Sequence, residues 1–316
     1  MKWGTNMKQI KDFKEGDRIE TNLLLTSSVR GVTNAGAPYL SLTLQDSSKS
    51  IDGKLWDVKP EIEKALETGK VYHFEMEVNT YRGALQAKII SVSPVDESSI
   101  KMSDFVLASP ISKDELTNAI GDAVNQINNK NLAMIVTALL KKYDNDFYEY
   151  PAASKIHHAY YGGLATHTYE MLKLARVICD VFPQVDKDYL VSGVIIHDLG
   201  KIEEYVSPYA PEYSKEGKLL GHISILDANL LDVGKTLKLE DSEELLLLRH
   251  MVLAHHGEYE FGSPVRPKTL EAEVLNFIDN LDAKINIIDK ALADTKPGEF
   301  SSKVKSLEDR PFYKHK

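Results

Sequence analysis

Residues 194–201 read VIIHDLGK, a nearly unbroken apolar run that ends on adjacent His197 and Asp198, with Lys201 one turn further on. An apolar segment of this kind reads as a helix packed among other helices. Placing a histidine and an aspartate at its buried end is costly unless something satisfies them. At 3.6 residues per turn, neighbours on a helix point about 100° apart, so His197 and Asp198 flank one point beside the axis. Lys201, four residues after His197, returns to the histidine's face. Gly200 reads as the helix stop, which puts the pair where the helix dipole leaves partial negative charge and favours a bound cation.

Other histidines repeat the arrangement. His167 lies on the apolar stripe Leu164, Met171, Leu174 and Ile178, so it faces the interior of a bundle. A D-x-x-E capping box at Asp241 and Glu244 predicts a helix filled by four leucines, with His255 and His256 at its end before Gly257. His222, behind Gly221, opens the intervening helix. Asp279 falls on the inner edge of the last long helix beside Leu275 and Phe277, and Asp282, one turn onward, competes with it. Imidazoles and carboxylates that converge among apolar helices repel one another or stay unsatisfied without a partner, and a divalent cation resolves both problems. Mixed nitrogen and oxygen donors suit Mn, Fe, Co, Ni or Zn better than Mg or Ca. Two such ions about 3.5–4 Å apart activate water for in-line attack on phosphorus and neutralise the leaving oxygen. Were the substrate a phosphoester, Lys201 would stabilise its negative oxygens beside Asp198, and these two are the candidate catalytic residues.

At 316 residues, 43% hydrophobic and 27% charged, the chain has material for two compact domains. The single cysteine, Cys179, excludes a disulfide framework and any thiolate-rich zinc site, so a metal must be held by histidine and carboxylate. There is no apolar run of eighteen residues and no charged-then-apolar leader, so membrane contact and export are not expected and the cytoplasm is the expected compartment. The net charge of −9 argues against a wholesale nucleic-acid coat, but residues 1–95 carry 13 Lys+Arg against 12 Asp+Glu, which leaves −10 for the remainder. Residues 1–6, MKWGTN, precede a second methionine and are set aside as a leader.

The first part of the chain has another period. YLSLTLQD (39–46) and KVYHFEMEV (70–78) alternate apolar and polar residues, with IDGKLWD (51–57) and GALQAKIISV (83–92) as further strands after one that starts near Arg18. A helix beginning at Pro60 and stopping at Gly69 separates the third strand from the fourth. Five strands with a helix at that place give the order of an OB-fold barrel. From about Asp104 to Lys290 nearly every segment is helical. The expected fold is therefore multidomain, a β-barrel followed by an all-α bundle. Its boundaries are a barrel over 1–95, a helical connector over 96–150 packing on the bundle, the bundle over 151–294 and an extended tail over 295–316.

Along the chain the candidate ligands read H…HD…H…HH…D, and this resembles the HD-domain metal-dependent phosphohydrolases in the expanded form of the two-metal HD-GYP phosphodiesterases. HDLGK matches the superfamily's HD-x-GK form. The resemblance implies one metal held by His167, His197, Asp198 and Asp279, and a second held by His222, His255 and His256 with Asp198 bridging. After His256 this chain has GEYEFGSPVRP in place of the GYP tripeptide, a departure that weighs against cyclic-dinucleotide specificity.

OB-folds hold single-stranded nucleic acid on the face of their second and third strands by aromatic stacking and basic contacts. The matching residues are Arg30, Tyr39, Lys54 and Trp56, with Tyr81 and Arg82 in the last hairpin turn. The two-domain order, KLWD in the barrel and PAASKIHHAYYGGLATHTYEML before the first ligand resemble the YhaM family of bacterial exoribonucleases. That resemblance implies manganese-dependent 3′-to-5′ trimming of single-stranded RNA to nucleoside 5′-monophosphates, single-stranded DNA as a second substrate, and self-association. Lys155, His157 and His158, before the Gly162-Gly163 turn, are candidates for binding the terminal phosphate. The competing reading is a phosphodiesterase of small or cyclic nucleotides in which the barrel is regulatory.

Overall fold

A computed structural model describes residues 8–96, 98, 100–153, 158–210, 212–293 and 295–316. Two compact units account for the chain: residues 1–108 with 206–212, and residues 109–205 with 213–316.

The first unit is a closed barrel of β1 (Arg18–Val32), β2 (Pro38–Gln45), β3 (Ser50–Trp56), β4 (Val71–Tyr81) and β5 (Ala84–Pro94), with α1 (Pro60–Ala65) between β3 and β4. Closure depends on β1. Its first half pairs with β4 and its second with β2, and a bulge between Leu25 and Ser27 bends the strand where it changes partner. The predicted alternation is realised in β2, where Leu40, Leu42 and Leu44 are buried, and in β4, where Phe74, Met76 and Val78 are wholly buried. Residues expected to open the helical connector fall in this unit: the Ser47 amide donates to the Asp104 carbonyl, and the Gln45 side chain donates to that of Phe105.

The second unit is helical: α2 (Lys113–Asn125), α3 (Lys130–Tyr143), α4 (Gly163–Val181), α5 (Lys187–Ile196), α6 (Lys201–Glu204), α7 (Lys215–Leu237), α8 (Glu243–Ala254) and α9 (Leu270–Ala293). The VIIHDLGK helix, α5, is central, with every residue from Leu190 to Ile196 buried. Gly193 lets a neighbour in close, since a Cβ there would lie 2.3 Å from Met251 Cε. Ser242, rather than Asp241, caps α8 by accepting from the Leu245 amide. Helix α7 starts at Lys215, before the predicted opening at His222, and Gly221 breaks it with φ 71° and ψ 156°.

Residues 295–316 close on themselves instead of running extended. Bridges join Phe300 to Tyr313 and Val304 to Arg310, left-handed Glu308 and Asp309 form the turn, and Leu307 is buried. Among the described residues no helix is long and apolar enough to cross a membrane.

Candidate metal centre

Helix α5 ends at Ile196, and His197 follows as its C-cap residue; His255 takes the same place after α8. The two rings use one device. The Nδ1–H of each donates to a carbonyl three residues back, His197 to Val194 O at 2.9 Å and His255 to Val252 O at 2.7 Å. His256 donates to Phe261 O at 2.7 Å, His222 to Glu204 Oε1 at 3.1 Å and His167 to Asp282 Oδ2 at 2.6 Å. All five acceptors are carbonyl or carboxylate oxygens, which cannot donate, so each Nδ1 carries the hydrogen and each Nε2 is turned toward the cluster.

The cluster is continuous. Ring centroids are 5.4 Å apart from His167 to His197, 5.2 Å from His197 to His255 and 4.3 Å from His255 to His256. Ligand atoms of His222, His255 and His256 lie within 4.8 Å of one another, as do those of His167, His197 and Asp279. Asp198 stands between the two triads. Its Oδ1 is 3.5 Å from His222 Nε2 and 3.6 Å from His255 Nε2, while its Oδ2 is 3.4 Å from His197 Nε2 and 3.9 Å from His167 Nε2.

These separations are too long for good hydrogen bonds. The buried Nε2 atoms of His197, His222 and His255 and Oδ1 of Asp198 have no hydrogen-bond partner among the described residues. Buried polar atoms left in that state are costly, and nitrogen and oxygen donors around a common point suit a divalent cation. The residues present therefore fit a metal.

The charges agree. Burial pushes the Asp198 carboxyl up, but Lys201 and then His197 outweigh it and hold it well below the carboxylate range. Burial lowers the pKa of His222 and His255, and of His256 to about 4, so these rings are neutral and ready to coordinate. At His167 burial also acts downward, yet hydrogen bonds to Asp279 and Asp282 raise the pKa to about 10.

Asp279 and Asp282, left open by the sequence, take different places. Asp279 Oδ1 is 3.2 Å from His167 Nε2 on the cluster side, while Asp282 holds the opposite nitrogen of the same ring. Gly200 is not a left-handed stop: it has helical φ −61° and opens α6. A Cβ there would meet the His222 carbonyl oxygen at 2.2 Å, so glycine permits the close approach of α7. Lys201 is buried, with its ammonium 2.6 Å from Asp198 Oδ2.

Sequence reading missed Glu204, which accepts from both the backbone and the ring of His222, because the contact depends on the break at Gly221. It misassigned His158. That residue is 1% exposed, with its ring nitrogens on Tyr160 and Asp282, so it is not offered to a nucleotide. Lys155 and His157 lie outside the described residues.

On the barrel, Tyr39 and Trp56 pair across β2 and β3 with ring centroids 5.0 Å apart, and Lys54 Nζ sits 4.7 Å from the Tyr39 centroid. Trp56 is 46% exposed, so this trio forms an accessible aromatic and basic surface. Arg30 does not join it. Its register partner is inward-facing Leu40, and its guanidinium pairs with Glu63 of α1 at 3.3 Å. Tyr81 and Arg82 form their own pair at the β4–β5 turn, 5.3 Å from guanidinium carbon to ring centroid.

The HD domain family model matches residues 164–284, and a helicase model, TraI_2, matches residues 99–183. The 3′-5′ exoribonuclease YhaM of Bacillus subtilis (strain 168) is 43% identical over 308 residues, 97% of this chain and 98% of that protein. The protein of the same name from Listeria innocua is 43% identical over 309 residues, with the same coverage. Among solved structures, the second OB-fold domain of replication protein A from Methanococcus maripaludis is similar over 30% of this chain and 98% of that one, at 18% identity and a TM-score of 0.25. Identity at this level along almost the full length of both chains places this one in the YhaM family of 3′-5′ exoribonucleases.

Proposed function

We propose that the protein is a divalent-metal-dependent 3′-to-5′ exoribonuclease that shortens single-stranded RNA to nucleoside 5′-monophosphates, with single-stranded DNA as a second substrate. The observation that carries this reading is the common orientation of five imidazoles, each donating Nδ1–H outward, with the Nε2 atoms of His167, His197, His222 and His255 3.4–3.9 Å from the Asp198 carboxylate. His167, His197, Asp198 and Asp279 would hold one ion, and His222, His255 and His256 would share a second with Asp198. Manganese is the ion we favour. When bound, a pair of such ions supplies an activated water and neutralises charge at phosphorus.

The chain's own residues do the rest. Asp198 keeps its carboxylate ionised through Lys201 and His197, and so would be ready to hold a cation without first losing a proton. Lys201, whose ammonium lies on Asp198, would share its charge with a scissile phosphate held at that carboxylate. Water oxygen bonds to phosphorus as the P–O3′ bond breaks. The shortened strand leaves with a 3′-hydroxyl and the released nucleotide keeps its 5′-phosphate. Tyr39, Lys54 and Trp56 provide stacking and charge for the strand without base-specific readout. Self-association and a cytoplasmic location complete the reading.

The test is a 5′-labelled single-stranded RNA incubated with Mn²⁺ beside a duplex and a cyclic dinucleotide. Progressive shortening of the single strand, resistance of the duplex and no turnover of the cyclic compound are expected. Turnover of the cyclic compound without RNA shortening would instead favour the small-nucleotide reading.

A further inference from the structure

His158 precedes the residues matched by the HD-domain model, yet it is joined to a candidate metal ligand through a single carboxylate oxygen. Asp282 Oδ2 lies 2.8 Å from His158 Nε2 and 2.6 Å from His167 Nδ1, and all three side chains are buried. A carboxylate only accepts, so both ring nitrogens facing it carry hydrogens. His158 Nδ1 is then a bare acceptor, and it takes the hydroxyl of Tyr160 at 2.8 Å. The same ligand atoms could be grouped around an ion. Their 2.6 and 2.8 Å separations are instead those of hydrogen bonds to an ionised carboxylate.

The backbone is built around this placement. His158 adopts a left-handed conformation, φ 43°, which a side chain larger than glycine takes up only when its surroundings impose it. The surroundings are specific: its amide donates to Asn286 Oδ1 at 3.0 Å, and its carbonyl accepts from the Ala152 amide at 3.2 Å. A Cβ on Gly163 would lie 1.9 Å from that carbonyl oxygen, so the first residue of α4 must be glycine for His158 to sit there. One turn of α9 thus holds both ends of the residue, Asn286 its backbone and Asp282 its ring.

We propose that His158 is a positioning residue for the metal centre: through Asp282 it fixes the tautomer and angle of the His167 ring, and so sets the affinity with which that ring holds its ion. Partners of this kind behind a metal-bound histidine typically change metal affinity 10–100-fold when removed. The inference rests on the metal-dependent reading above, and it assigns a role to a segment upstream of the HD-domain residues.

Mn²⁺ binding to the full chain by titration calorimetry tests it, beside melting in EDTA and RNA-shortening kinetics. His158→Ala is expected to bind Mn²⁺ about 10–100-fold more weakly at the triad of His167, with an unchanged KM for RNA and a kcat recovered by excess Mn²⁺. Its melting temperature in EDTA should stay near that of the unaltered protein. His158→Gln, whose amide can still donate to Asp282, should recover most of the affinity, and it keeps the test open if the alanine variant fails to fold. Unchanged Mn²⁺ affinity in His158→Ala, or His158→Gln binding as weakly as alanine, overturns the proposal. Tight Mn²⁺ binding by the unaltered protein without RNA shortening would overturn the exoribonuclease reading and leave this one standing.

Discussion

Gly200 and His222 approach so closely that a methyl group on the former would lie 2.2 Å from the carbonyl oxygen of the latter. The glycine of HDLGK therefore sets the distance between the His-Asp corner and α7, which brings His222 to the other side of Asp198. Gly200→Ala should force α7 outward. Overpacking of this kind costs about 1–3 kcal/mol, so a melting temperature lowered by several degrees and weaker metal binding are expected. A variant that melts and binds like the unaltered protein would show that α7 yields without cost.

Lys201 is buried with its ammonium on Asp198. In Lys201→Met a buried carboxylate loses its cation, a change that typically costs about 3–5 kcal/mol when nothing replaces the partner. The variant should be markedly less stable in EDTA and regain much of that loss with Mn²⁺. Its kcat should fall roughly 10²–10³-fold, as when one electrostatic donor is removed from an active site. Melting curves with and without metal, beside single-turnover RNA shortening, separate the two effects.

Metal binding should release a proton. Without an ion, Asp279 and Asp282 hold His167 up at about 10 against the effect of burial, so at pH 7.5 its ring is protonated. Its Nε2–H must leave before that nitrogen can coordinate, whereas burial already keeps His222, His255 and His256 neutral. Apparent Mn²⁺ affinity should therefore rise with pH up to about 10, the level at which His167 itself deprotonates. Calorimetry at pH 7.5 in buffers of different ionisation enthalpy should give different heats. Equal heats would mean that His167 enters the reaction neutral.

The barrel surface makes a separate prediction. Trp56→Ala removes the more exposed partner of the Tyr39 stack. Loss of one stacking platform costs about 1–3 kcal/mol, so the Kd for single-stranded RNA should rise about 5–150-fold while kcat at saturating RNA holds. Arg30→Ala, whose guanidinium is engaged by Glu63, should change binding far less. Filter binding at fixed salt compares the two.

What the sequence made legible follows from periodicity. Alternating Leu40, Leu42 and Leu44 can only be a strand with one buried face, and the unbroken burial of Leu190 to Ile196 is the plain consequence of an apolar helix inside a bundle. Histidines at helix ends, as at His197 and His255, were equally readable. Contacts that depend on a backbone departure were not. Glu204 reaches His222 only because Gly221 breaks α7, and His158 turns inward only because its own backbone is left-handed. Arg30 was misplaced for a related reason: the bulge between Leu25 and Ser27 shifts the β1 register, and composition alone does not reveal it.

The most direct test of the central claim is an anomalous difference map from crystals soaked in Mn²⁺. Strong peaks are predicted within coordinating distance of the Asp198 carboxylate, one on the side of His167, His197 and Asp279 and one on the side of His222, His255 and His256. An active, Mn²⁺-dependent protein whose peaks lie away from Asp198 would contradict it.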